Sequence, residues 1–85
     1  MRVKYWIELQ GYKVREGKYY HFTSEYFPFE AFSLQHIDIE LTPKLIAFQE
    51  KHNIKKVKGY VYSENDENSN KLPTLLKTFK FIYED

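Results

Sequence analysis

Apolar and polar residues alternate at the start of the chain. Val3, Tyr5, Ile7 and Leu9 are separated by Lys4, Trp6 and Glu8, with Gln10 following. A period of two is that of a strand with one buried face. Past Gly11 the apolar phase moves to Tyr12 and Val14, a slip that predicts a β-bulge at the glycine. Arg15-Glu16-Gly17-Lys18 reads as a tight hairpin turn with Gly17 supplying positive φ. Tyr19 to Phe27 is the return strand. Pro28 removes a ladder donor, so that strand ends there or lies at a sheet edge.

FSLQHIDIEL, Phe32 to Leu41, resumes alternation with Ile37, Ile39 and Leu41 on one side, and predicts a third strand. Thr42-Pro43 looks like a helix start, a capping hydroxyl followed by proline in the first turn. Pro43 to His52 is a short amphipathic helix with Leu45, Ile46 and Phe48 on its apolar arc. Asn53 suits a left-handed C-cap, over which Ile54 can pack back. KKVKGYVYS, Lys55 to Ser63, is a fourth strand. ENDENSN, Glu64 to Asn70, is a polar loop closed by Leu72-Pro73. Thr74 to Tyr83 is the last strand, with Leu75, Phe79, Phe81 and Tyr83 on one face. The expected fold is α+β: one domain over residues 1–85, an antiparallel sheet of about five strands in the order β-β-β-α-β-β, and one short helix packed on a face.

Composition adds two points. At 85 residues the core is small, because a chain of this length buries only roughly 60–65% of its unfolded surface. Aromatic residues are nonetheless 19% of the chain, eight Tyr, seven Phe and one Trp, more than a small sheet-and-helix core easily hides. There is no cysteine, which removes disulfides, thiolate metal sites and thiol nucleophiles. MRVKYWIELQ has no unbroken apolar stretch of the signal-peptide kind, and no segment approaches the ~20 apolar residues of a membrane span. A cytoplasmic protein is the default expectation. The bias to lysine, tyrosine and isoleucine gives the chain the look of a phage- or mobile-element-encoded protein.

Net charge is +1, but it is locally segregated. Lys51 to Tyr62, KHNIKKVKGYVY, holds four lysines and a histidine with no acid, whereas Glu64, Asp66, Glu67, Glu84 and Asp85 gather elsewhere. On a strand, Lys56, Lys58, Tyr60 and Tyr62 point one way and Val57 and Val61 the other. Lys4, Trp6 and Tyr19 extend that lysine–tyrosine face if the strands are neighbours. Single-stranded nucleic acid binders combine cations and stacking rings in this manner. Protein interfaces also favour Tyr and Trp. The plain structural reading makes Lys51 and His52 dipole-complementing residues at a helix end, and the strand lysines protection for a sheet edge.

Signals of chemistry are weaker. His21-Phe22-Thr23 has the H-x-T spacing of two-histidine phosphoesterases, but those need the element twice, and His36-Ile37-Asp38 lacks the hydroxyl. His36, Asp38 and Glu40 would share one face of the expected third strand, a row able to ligate a divalent cation or exchange protons. Asp66, Asn68 and Asn70 match the first ligand spacings of a calcium loop, but Lys71 stands where glycine is needed and Lys77 where glutamate is needed. His52, with Gln49 on the helix's apolar arc, reads as partly buried and hydrogen-bonded. No Gly-rich phosphate loop is present.

These observations predict a non-enzymatic module without metal or cofactor. Its expected partner is a larger protein, bound through Trp6, Tyr19, Lys56, Lys58, Tyr60 and Tyr62. The alternative is single-stranded DNA or RNA on the same residues. No membrane partner is expected, and homodimerisation through an edge strand is compatible with either reading.

Overall fold

The computed structural model describes residues 2–64 and 72–83. Its elements are β1 (Val3–Arg15), β2 (Lys18–Ala31), α1 (Ile37–Glu40), α2 (Thr42–His52), β3 (Lys56–Ser63) and β4 (Leu75–Ile82). The four strands form one antiparallel sheet in the order β2-β1-β3-β4. The class is α+β as expected, with four strands where about five were expected and two short helices where one was.

The missing strand is the segment 32–41. Ile37 and Leu41 are fully buried, but Ile39 between them is 65% exposed. The period that wins is helical: Ile37, Leu41, Leu45 and Phe48 fall four, four and three residues apart and make one continuous stripe. Backbone bonds run from Glu40 N to His36 O, from Leu41 N to Ile37 O and from Leu45 N to Leu41 O, so α1 and α2 meet at Leu41. Glu40 fixes the entry to this segment by accepting the backbone N–H groups of Phe32 and Ser33. The N-cap of α2 is Leu41, not Thr42, whose hydroxyl instead donates to Ile39 O at 2.7 Å. Pro43 stands in the first turn, and Asn53 closes the helix in the left-handed region with φ 50°. Leu45 and Phe48 are buried, whereas Ile46 lies off the stripe, half exposed.

The hairpin turn is where it was expected. Glu16 and Gly17 both have positive φ, 52° and 77°, between the paired Arg15 and Lys18, the two-residue loop whose twist matches paired strands. The β1–β2 register does slip at Gly11/Tyr12, but the extra residue is on the opposite strand. Gly11 faces Thr23 and Tyr12 faces His21, which leaves Phe22 as the bulge. β2 does not stop at Pro28; it runs through to Ala31, tolerable because β2 is an edge strand. A second slip at Val61/Tyr62 sets Leu75 opposite Tyr62. Leu75 therefore leaves the face that holds Phe79, Phe81 and Tyr83.

Both helices pack on one sheet face. The core joins Tyr5, Ile7 and Leu9 of β1, Ala31 of β2, and Val57 and Val61 of β3 to Ile37, Leu41, Leu45, Phe48 and Ile54. Phe27, Phe29, Leu34, Phe79 and Tyr83 close its margins. Gly59 is required by a ring. A Cβ there would collide with the Phe79 ring, because the Phe79 side chain lies over the bare backbone of its cross-strand partner.

Two stability outcomes follow, both read by urea denaturation. Leu41→Ala should cost about 2–5 kcal/mol as a large-to-small core change, and Ile39→Ala within about 0.5 kcal/mol as a surface change. Equal losses would restore the strand reading of 32–41. Gly59→Ala should destabilise by about 1–3 kcal/mol through overpacking against Phe79, despite alanine's lower backbone entropy in the unfolded chain.

Candidate functional site

Because Val57, Gly59 and Val61 face the helices, the intervening residues of β3 face away from them. The cross-strand registers arrange the uncovered face as four rows across β2, β1, β3 and β4. The first is Pro28, Trp6, Tyr62 and Leu75. The second is Tyr26, Glu8, Tyr60 and Thr78. The third is Ser24, Gln10, Lys58 and Lys80. The fourth is His21, Tyr12, Lys56 and Ile82, beyond which Val14 and Tyr19 pair in the hairpin arm. All six expected binding residues, Trp6, Tyr19, Lys56, Lys58, Tyr60 and Tyr62, thus lie on one face. Tyr12, Tyr26, Thr78 and Lys80 join them. Only the pairing register shows this, since none of the four belongs to a local motif.

The face has two halves. In the first, Trp6 stacks on Tyr26 with centroids 5.1 Å apart and planes 8° from parallel, and Tyr62 tilts against Tyr26 at 6.4 Å. Glu8 anchors this cluster: it accepts Gln10 Nε2 at 2.6 Å and lies 3.5 Å from the Tyr62 hydroxyl, at the outer limit of a bond. Tyr12 Oη in turn donates to Gln10 Oε1 at 2.9 Å. Burial first, and the Glu8 charge second, push the Tyr62 phenol above its ordinary value, so it stays a neutral donor. Lys4 pairs with Glu64 at 3.7 Å nearby.

In the second half Lys58 faces Lys80 directly, and Lys56 stands two residues along from Lys58. The Lys56 ammonium lies 4.8 Å from the Tyr19 ring centroid and 5.5 Å from that of Tyr12; Lys58 lies 5.2 Å from Tyr12. Partial burial and then the charges of Lys58 and Lys80 hold Lys56 below the usual lysine value. A shallow depression of about 480 Å³ opens here, lined by Lys58, Tyr60, Thr78 and Lys80 with Gly59 and Phe79. Another concavity, about 180 Å³ between α2 and β4, is lined by Thr42, Leu45, Ile46, Phe81 and Tyr83.

The basic stretch 51–62 therefore divides. Lys51 and His52, at the helix end, lie 3.8 and 3.9 Å from Glu25 on the helix side of the sheet. The His52 ring meets Phe48 and Phe22 edge-on, and Gln49 donates to Ile54 O. Lys56 and Lys58 belong to the open face. They do not protect an edge, because β3 is an interior strand.

The chemical candidates are dispersed. The Phe22 bulge puts His21 opposite Tyr12 on the open face and Thr23 opposite Gly11 on the helix face, so the H-x-T residues part company. His21 bonds Ser24 Oγ at 2.7 Å. His36, Asp38 and Glu40 share no strand face, since Ile37–Glu40 is helical. Asp38 pairs with Lys77 at 3.2 Å, and Lys77 also donates to the carbonyls of Leu34 and Gln35. Asp66, Asn68, Asn70 and Lys71 lie outside the described residues. Among the described residues no group of three or more His, Asp or Glu is placed to hold a metal ion, and no helix is long and apolar enough to cross a membrane.

Fold and face together define a small α+β domain with an uncovered aromatic and basic sheet surface. Comparison with protein-family models, curated proteins and solved structures finds no match.

Asp38 offers a pH test of the reassigned segment. Partial burial raises its carboxyl pKa, but the Lys77 hydrogen bond and charge, with nearby backbone amides, hold it below the ordinary 3.8. A depressed folded-state value means stability that is present above the unfolded value and lost as pH falls through the folded one. Asp38→Asn should cost about 0.5–1 kcal/mol at neutral pH. The gap from wild type should close below the ordinary value of 3.8. Chemical denaturation across that range checks both; a gap that persists in acid removes the ion pair as its cause.

Proposed function

We propose that this chain is a non-enzymatic protein-binding module that modulates or inhibits a larger partner by occluding its surface with the open sheet face. The observation that carries the reading is the Trp6–Tyr26–Tyr62 cluster. Of sixteen aromatic residues only Tyr5 and Phe48 are in the buried core, and Tyr26 is 56% exposed. Large rings left clustered on an uncovered face are the composition of an interface hot spot. These rings are already braced against one another and Glu8, so ordering them on binding costs less than ordering free side chains. The Glu8 carboxylate within the cluster disfavours a phosphate backbone over this half and suits the polar groups of a protein surface. Tyr60 adjoins the anchor, and Tyr19, Lys56 and Lys58 flank it on the side where charge steers encounter.

The test uses the full chain as bait, with a photocrosslinking residue in place of Tyr26. Trp6→Ala should weaken capture of the crosslinked partner by about 30-fold or more, the effect of losing a hot-spot ring worth ~2 kcal/mol, with an unchanged urea midpoint. Undiminished capture would move the interface off this face. Sedimentation is the companion measurement: a dimer dissolved by Trp6→Ala would make the occupant a second copy of this chain.

A further inference from the structure

We infer that the Lys56–Lys58–Lys80 cluster, at the other end of the same face, is a binding site for the phosphodiester backbone of a single-stranded nucleic acid. The cluster contains a pairing that stability alone disfavours. Lys58 and Lys80 are directly opposite across β3 and β4, where like charges repel and opposite charges would stabilise. Among the described residues the ion pairs are Lys4–Glu64, Lys51–Glu25, His52–Glu25 and Lys77–Asp38; none of them involves the three clustered lysines. β3 is interior, so edge protection does not account for Lys56 and Lys58. Lys58 and Lys80 line a shallow depression that also presents Thr78 and Tyr60, Lys56 stands two residues along the strand from Lys58, and an anion seated there relieves the repulsion.

The neighbouring rings favour a nucleic acid over an acidic peptide. Lys56 and Lys58 rest over Tyr12 and Tyr19. Turning the ammonium groups toward phosphates uncovers those ring faces, and bases stack on such faces whatever their sequence. Carboxylate side chains make no use of them. The depression is shallow and open, which suits a single strand that splays its bases. The inference goes beyond the protein-binding proposal, because it uses the half of the face that lacks Trp6, Tyr26 and Glu8.

The experiment is fluorescence anisotropy of a labelled single-stranded DNA or RNA of about 12 nucleotides, within the range of site sizes for single-strand binders. Contacts to roughly three phosphates predict that affinity falls about 20-fold between ~50 and ~200 mM salt. Lys58→Gln combined with Lys80→Gln should abolish binding. That double variant should melt no lower than wild type, since it removes a repulsion, and a preserved melt excludes unfolding as the cause. Trp6→Ala should leave oligonucleotide binding unchanged while weakening capture of the protein partner, which separates the two readings. Absence of binding at ~50 mM salt, where phosphate contacts are strongest, would overturn the inference, as would binding indifferent to the double variant. Loss of the protein partner in the double variant, with no oligonucleotide bound by wild type, would assign the lysines to the rim of the protein interface and overturn the inference alone.

Discussion

Everything in this fold depends on one contact, the stripe Ile37, Leu41, Leu45 and Phe48 against Ile7, Leu9, Val57 and Val61. A chain of 85 residues has apolar material for one such layer. With both helices spent on one side, the sheet's other face must stay in water. Ile54 sets which residues go there. It is fully buried behind the left-handed Asn53, and it pins the chain just before β3 begins. That phase sends Val57 and Val61 inward, and Lys56, Lys58, Tyr60 and Tyr62 outward. A slip of one residue would exchange the two sets. Burying two lysines in place of two valines is prohibitive, so the core enforces the composition of the open face.

How far this was legible in the sequence depends on whether a feature belongs to one segment or to two. The alternation in Val3–Leu9 and in Lys56–Tyr62 is local and one-sided, so it gave strand and face together. The Glu16-Gly17 turn was legible for the same reason. The segment 32–41 was not, because Ile37, Ile39 and Leu41 fit a period of two as well as Ile37 and Leu41 fit a period of four. What decides between them is Leu45 and Phe48, on the far side of a Thr-Pro pair that looks like a boundary. Pairing features are properties of two strands. The slip at Gly11 left a mark in β1, but the bulged residue is Phe22 in β2. The same bulge split His21 from Thr23, which no spacing rule could anticipate. Face membership of Trp6, Lys58 and Tyr62 was readable; their meeting with Tyr26 and Lys80 required the strand order.

The two halves of the face treat charge differently. In the aromatic half the one central acid, Glu8, is occupied by Gln10 and lies close to Tyr62, so its charge is spread into a local network. In the basic half Lys56 and Lys58 have ring faces, and neither they nor Lys80 pair with a carboxylate among the described residues. A face selected only for stability would place an acid opposite Lys58. The cross-strand repulsion costs a few tenths to about 1 kcal/mol, set against a total stability of roughly 5–15 kcal/mol for a domain. That is a noticeable fraction for a chain with so small a core.

The helix side holds no comparable departure. There Lys77 pairs with Asp38, and Lys51 and His52 with Glu25. No buried side-chain nitrogen or oxygen among the described residues lacks a partner. Local preference, packing and polar satisfaction agree over most of that side, where the helices leave Ile39 and Ile46 exposed singly, and they disagree most where Trp6, Tyr26, Lys58 and Lys80 gather on the open face. A sequence that satisfies its structure almost everywhere and relaxes that consistency over one contiguous surface is answering to something outside the fold. The disagreement takes two chemically distinct forms, rings in one half and uncompensated cations in the other, and this is why the two halves are assigned different occupants.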